Sequence, residues 1–220
     1  MEKLLKKIYK NSFKKIFPSA GEIIDSFLIK ELKDCIRVVD LGCGQYSPLG
    51  RIKDKLSPHL YSVGVDDFDP YLETSKQQKI HSEYIKSNIF AINFPDNSFD
   101  CALLLDVIEH FEKEDFLKFL PRLEKIAKKI IILTPNGFVN QNTYDGNEYQ
   151  VHKSGFTVDD MSSLGFTCYG VSGLKTLRGE YAVSRIKPLI LGNMICNITE
   201  PLVYKSPKKA YHLICVKYNS

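Results

Sequence analysis

A buried-looking apolar run, Val38-Val39-Asp40-Leu41, leads directly into Gly42-Cys43-Gly44. Glycines at the end of such a strand let the backbone approach a ligand that a Cβ would repel. Asp40 is placed to orient this loop and a ligand's ammonium group. Ser47 stands where a dinucleotide-binding G-x-G-x-x-G would carry its third glycine or alanine, which weakens a nicotinamide-dependent oxidoreductase as the reading. Asp66 follows Gly44 by 22 residues, and a carboxylate there can accept hydrogen bonds from both hydroxyls of a ribose. The competing reading of Asp66 is a solvated turn aspartate, and its strand-end placement favours ribose binding. Asn88 and Asp106 also close short strands, so Asp40, Asp66, Asn88 and Asp106 all fall on one sheet edge, where open α/β folds bind ligands.

These residues need a frame of alternating strands and helices to bring them together. The strands are expected at Ile36–Leu41, Leu60–Val65, Tyr84–Ser87, Cys101–Leu105, Ile130–Leu133, Phe166–Val171 and Ala210–Tyr218. Amphipathic stretches lie between several of them, which implies βαβ units and a parallel sheet. Ser19 and Glu22 make a capping box for a helix with the stripe Ile23, Ile24, Phe27, Leu28 and Leu32. Phe116, Leu117, Leu120 and Leu123 line another helical region, with Pro121 expected to restart it as the first residue of a new segment. Thr157 and Asp160 cap a short helix ending at Gly165. The chain thus reads as one domain: a helical cap over 1–34, a ligand-binding core over 35–171, an irregular insertion over 172–209 and a last strand over 210–220. The apolar stretch Pro188–Ile195, with Ile198 and Leu202, reads as core extension, with a dimer face or a lid as alternatives.

Composition narrows the class of protein. The chain has 220 residues, 44% of them hydrophobic and 25% charged, enough for one globular domain. No apolar run approaches the ~20 residues of a membrane span, and residues 1–17 make a poor secretory signal. The six cysteines, none in a C-x-x-C pair, imply neither a disulfide framework nor a metal site, but reduced thiols in a cytoplasmic protein. Residues 1–17 hold six lysines against Glu2, a local net of +5 that exceeds the whole chain's +4. Basic character is therefore confined to a first helix, expected over residues 1–17 and ended by Pro18, which disfavours an extended nucleic-acid track. That helix reads as packing on the domain, with peripheral membrane contact as the alternative.

Four segments now carry a specific resemblance. Asp-Leu-Gly-Cys-Gly at 40–44, Val-Gly-Val-Asp at 63–66, Phe-Pro-Asp-Asn-Ser-Phe-Asp at 94–100 and Asp-Val-Ile-Glu-His at 106–110 resemble successive motifs of the class I S-adenosylmethionine-dependent methyltransferases. The likeness covers residues 35–137 and extends loosely through His152 to Phe166. It implies a Rossmann-like α/β fold whose seven-stranded sheet has the order 3-2-1-4-5-7-6, with the seventh strand antiparallel and helices on both faces. It also implies that Gly42, Cys43 and Gly44 pack against the methionine part of the cofactor, near Asp40. Asp66 would hold the ribose, Asn88 with Ile89 the adenine edge, and Asp106 the methionine or acceptor side. Tyr46 stands where many members have a third glycine. Asp67, beside the ribose acid, replaces a commoner apolar residue, and Asn88 a commoner aspartate.

Methyl transfer asks mainly for alignment and exclusion of water, because the sulfonium already activates the methyl group. An oxygen or nitrogen acceptor also has a proton to lose, which suits a near-neutral histidine. His110 and His152 are the candidate catalytic residues, against the plainer reading of structural hydrogen bonding. Tyr144, Asp145, Glu148 and Tyr149 offer a polar pocket in the same loop as His152. The absence of an Asn-Pro-Pro-Tyr motif and of a Pro-Cys nucleophile points away from nucleic-acid bases. The expected acceptor is a metabolite, a saccharide or a lipid-linked intermediate. The rival reading is a methyltransferase-like module that binds without turnover.

Overall fold

The computed structural model describes residues 13, 16–143 and 146–219. Most of the lysine-rich segment, residues 1–12, 14 and 15, and the loop residues Tyr144 and Asp145 therefore lie outside the described residues. A seven-stranded sheet forms the centre: β1 Arg37–Leu41, β2 Tyr61–Asp66, β3 Glu83–Lys86, β4 Cys101–Leu105, β5 Lys129–Pro135, β6 Thr167–Leu174 and β7 Ala210–Tyr218. Its order is β3-β2-β1-β4-β5-β7-β6. The first five strands pair in parallel, and β7 lies antiparallel to both β5 and β6. This is the order the resemblance implied.

The strands alternate their side chains between two apolar layers, as the pleat requires. Val39 and Leu41 of β1 point into one layer with Val63, Leu104 and Ile132. Phe116, Phe119, Leu120 and Leu123 of helix α4 (Lys113–Ile126) complete that layer. Val38 of β1 faces the other layer with Leu103 and Ile131, covered by Phe27, Leu28 and Leu32 of α1 (Ala20–Leu32). The Glu22 carboxylate accepts from the Ser19 amide at 2.8 Å and from its hydroxyl at 2.6 Å, which starts α1 where the capping box placed it. Helices α2 (Leu49–Ile52) and α3 (Asp69–Gln77) follow β1 and β2, and α5 (Val158–Ser163) precedes β6. Thr157 and Asp160 cap α5 reciprocally.

Two expectations are corrected. Pro121 does not restart α4; it sits inside one continuous helix. Its exposed position explains this, because water can satisfy the Leu117 carbonyl that loses its partner. The segment 172–209 is not irregular either. β6 runs on to Leu174, and α6 (Leu189–Ile198) and α7 (Glu200–Lys205) follow. α7 packs against β6 at Gly170, where any Cβ would lie 2.3 Å from the Val203 carbonyl oxygen. Cys196 and Val203 are fully buried, as core extension requires, whereas Leu189, Leu191, Ile198 and Leu202 remain exposed.

Glu200 opens α7 with no solvent exposure. Its carboxylate lies near the Ser172 and Gly173 amides without a well-aligned hydrogen bond. Burial pushes its pKa up to about 7, against a smaller opposing pull from those amides and Arg178. The folded chain therefore holds a proton that the unfolded chain releases above the ordinary carboxylate range. This stability is present below about pH 4.5 and is lost as pH rises through about 7. Glu200→Gln is expected to stabilise the fold by about 2–3 kcal/mol at pH 8, shrinking below about 1 kcal/mol at pH 5. Urea unfolding at the two pH values checks this, and an equal effect at both would refute it.

Candidate active site

The chain leaves β1, winds outward through β2 and β3, and returns to β4 on the far side of β1. The carboxyl ends of β1 and β4 therefore flank the point where strand order reverses. At the end of β1, Gly42 and Gly44 adopt φ of +70° and +57°, which glycine reaches without strain. The Gly42 and Cys43 amides donate to the Val65 carbonyl at 2.8 and 3.0 Å. The Gly44 amide donates to Asp66 Oδ2 at 2.8 Å, and the Phe68 amide to Asp66 Oδ1 at 2.9 Å. Glycine turn and strand-end acid thus form one unit. Burial raises the Asp66 pKa against the pull of these amides.

Asp40 lies beneath that turn, 1% exposed. Ser47 Oγ donates to Asp40 Oδ2 at 2.5 Å, and His81 Nε2 lies 3.5 Å from the same oxygen. Burial pushes Asp40 up to about 7 and His81 down to about 4. His81 fills the space over Gly64, where a Cβ would lie 2.5 Å from its Cδ2. Sequence reasoning treated Ser47 only as a missing glycine and did not find His81.

All nine residues expected to touch the cofactor border one connected depression. Gly42, Gly44, Asp66, Asp67, Asn88, Ile89 and Asp106 line a cleft whose empty space, its open mouth included, is about 550 Å³. Asp40 and Cys43 line the adjoining hollow, which shares Gly42, Gly44 and Asp106 with it. Asn88 Oδ1 accepts from the Phe90 amide at 3.0 Å, so its loop already uses one of its lone pairs. Asp106 follows β4 at φ +57°, its amide on the Leu133 carbonyl at 2.8 Å and its side chain open to the cleft. The surrounding protein pushes its carboxyl up from the usual range.

His110 also lines this cavity, and with Asp106 it borders a second one of about 690 Å³. His152, Tyr211 and His212 line the second cavity, so His152 stands beside the cofactor cavity rather than in it. The His110 and His152 rings lie 4.8 Å apart, edge to face. Each Nδ1 faces a backbone carbonyl, Val151 at 3.3 Å for His110 and Val139 at 2.7 Å for His152. A carbonyl can only accept, so each Nδ1 carries the proton and each Nε2 keeps a lone pair. Burial holds His110 down at about 4, and lowers His152 as well, so both rings are neutral at neutral pH.

Two further residues escaped sequence reasoning. Glu109 is 1% exposed and accepts from Thr134 Oγ1 at 3.0 Å. It stands in the 106–110 motif, between the strand-end Asp106 and His110. His212 faces the second cavity from β7 with Nδ1 2.8 Å from Ser172 Oγ, and burial lowers it to about 3. Its signal was a polar residue inside an otherwise apolar strand. Of the loop residues proposed to line the pocket, Tyr149 does border the cofactor cavity.

The sheet order β3-β2-β1-β4-β5-β7-β6, with β7 antiparallel, is that of the class I methyltransferase fold. Residues 39–132 match the family described as a methyltransferase domain. An uncharacterised protein of Methanocaldococcus jannaschii is 25% identical over 197 residues, covering 85% of this chain and 81% of the relative. Among solved structures, an S-adenosylmethionine-dependent methyltransferase from Archaeoglobus fulgidus shares the fold with a TM-score of 0.58 and 18% identity, over 94% of this chain and 98% of its own. The plantazolicin methyltransferase BpumL, solved with S-adenosylhomocysteine, aligns with a TM-score of 0.52 and 15% identity, over 100% of this chain and 90% of its own. No helix among the described residues is long and apolar enough to cross a membrane.

Proposed function

We propose that this chain transfers the methyl group of S-adenosylmethionine to an oxygen or nitrogen of a small or mid-sized acceptor, in the cytoplasm. The acceptor is a metabolite, a saccharide or a lipid-linked intermediate. One observation carries the reading: the strand-end cavity and the cavity holding His152 and His212 meet at Asp106 and His110. A methyl donor in the first and an acceptor in the second would face each other across that seam.

The residues present fit the cofactor. Gly44 faces open space, with no protein atom within 4 Å of where a Cβ would lie, whereas Gly42 is packed against Val107. Asp66 offers carboxylate oxygens for ribose hydroxyls, Asp67 stands next to it, and Asn88 with Ile89 would flank the adenine. Asp40, braced by Ser47 and His81, would answer the ammonium through the Gly42–Gly44 turn. When bound, the cofactor supplies an activated methyl group that needs no further activation by the protein. The chain's own work is to align the acceptor and exclude water. His110 and His152 would accept a hydrogen bond from the acceptor's O–H or N–H at Nε2, and a pKa of about 4 makes His110 a weak base.

Incubation with methyl-labelled cofactor and a fractionated cell extract tests the acceptor class. Label is expected in the low-mass or lipid fraction. Label confined to protein or nucleic acid would overturn the acceptor class, and no label in any fraction would favour binding without turnover.

A further inference from the structure

Glu109, His110 and His152 come from two distant parts of the chain, yet each offers a ligating atom, all within 4.8 Å of one another. We propose that these three side chains form a divalent transition-metal site at the border of the acceptor cavity. It deepens the methyl-transfer reading and rests on it for the ion's role.

The backbone builds this cluster. Glu109 and His110 occupy the single turn Ile108–His110 that follows β4. The Lys153 and Ser154 amides both donate to the Glu109 carbonyl, at 2.8 and 3.1 Å, and so fix the His152 segment against that turn. Metal-binding histidines characteristically hand their second ring nitrogen to a carbonyl or carboxylate, which sets the tautomer and aims the lone pair. Both rings do so here, on the Val151 and Val139 carbonyls. Glu109 is held in the same manner by the Thr134 hydroxyl at 3.0 Å. The charge acting on Glu109 is that of Asp106, which repels it. A divalent cation would answer both carboxylates.

The donor set selects the ion. Two imidazoles and one carboxylate suit zinc, cobalt, manganese or iron, and suit magnesium or calcium poorly because those prefer oxygen. Three protein ligands leave a coordination position free, the arrangement of catalytic rather than structural sites. His110 and His152 both line the acceptor cavity, so an acceptor oxygen is the natural occupant of that position. With both Nε2 lone pairs on the ion, the ion in place of the rings would meet that oxygen, lower the pKa of an acceptor hydroxyl and orient it toward the seam at Asp106.

The test uses the full chain, stripped with chelator and titrated separately with manganese, cobalt and zinc chloride by calorimetry. One ion should bind per chain, and the cobalt form should develop a visible absorption band. His152→Ala and Glu109→Gln should each weaken binding by at least about tenfold, while replacement of the exposed His59 by alanine should not. Thermal unfolding verifies that each variant is folded, and His152→Gln replaces His152→Ala should that chain fail to fold. No saturable binding of any of the three ions to the folded wild-type chain, or unchanged affinity in the folded His152 and Glu109 variants, overturns the site. S-adenosylhomocysteine titration of the metal-free chain separates the two ideas. Cofactor binding without metal binding removes the metal site alone, and metal binding without cofactor binding upholds the site while removing the reading of its role.

Discussion

Replacing Asp66 by alanine should weaken S-adenosylhomocysteine binding by about a hundredfold or more while leaving the chain folded. On the proposed function the carboxylate would meet both ribose hydroxyls, and a hydrogen bond to a charged partner contributes about 1.5–3 kcal/mol. Two such bonds exceed the roughly 2.8 kcal/mol that a hundredfold represents. The side chain also accepts from the Gly44 and Phe68 amides, so its removal loosens the Gly42–Gly44 turn as well. Asp66→Asn keeps the shape and one acceptor oxygen, and should fall between wild type and alanine. Calorimetric titration of folded variants checks the order. An alanine variant within threefold of wild type would remove Asp66 from the cofactor site.

The second large effect concerns stability. Gly42→Ala forces a Cβ to 2.7 Å from Val107 Cγ2 and 3.1 Å from Cγ1, at a φ of +70°. The backbone conformation costs an alanine about 1–2 kcal/mol, and overpacking a closed site about 1–3 kcal/mol more. A destabilisation of roughly 2–5 kcal/mol follows, read by urea unfolding. Val107→Ala creates the missing space, so the double variant should recover the packing part and keep the backbone part. A double-mutant cycle should therefore return a favourable coupling of about 1 kcal/mol or more. Strict additivity of the two changes would mean that the turn relaxes away from Val107.

The contrast between what was and was not legible follows from sequence distance. All seven strands were readable because each is a short apolar run between turn signals, and β7 begins and ends at the expected residues. The strand-end polar residues were readable for the same reason: Asp40, Asp66, Asn88 and Asp106 are marked by where each strand stops. Pro121 misled because a local rule about proline says nothing of which helix face meets water. The helices of 172–209 were missed because their packing depends on remote partners, such as Gly170 against Val203. The supporting side chains show the same limit. Ser47 and His81 acquire meaning only against Asp40, and Glu109 only against Thr134 and His152, pairings that the fold creates.

A crystal structure of the full chain with S-adenosylhomocysteine reaches the central claim most directly. The ribose hydroxyls should lie on the Asp66 carboxylate, with adenine beside Asn88 and Ile89 and the sulfur turned toward the seam between Asp106 and His110. A nucleoside bound elsewhere, or a sulfur pointing away from the cavity that holds His152 and His212, would contradict the account.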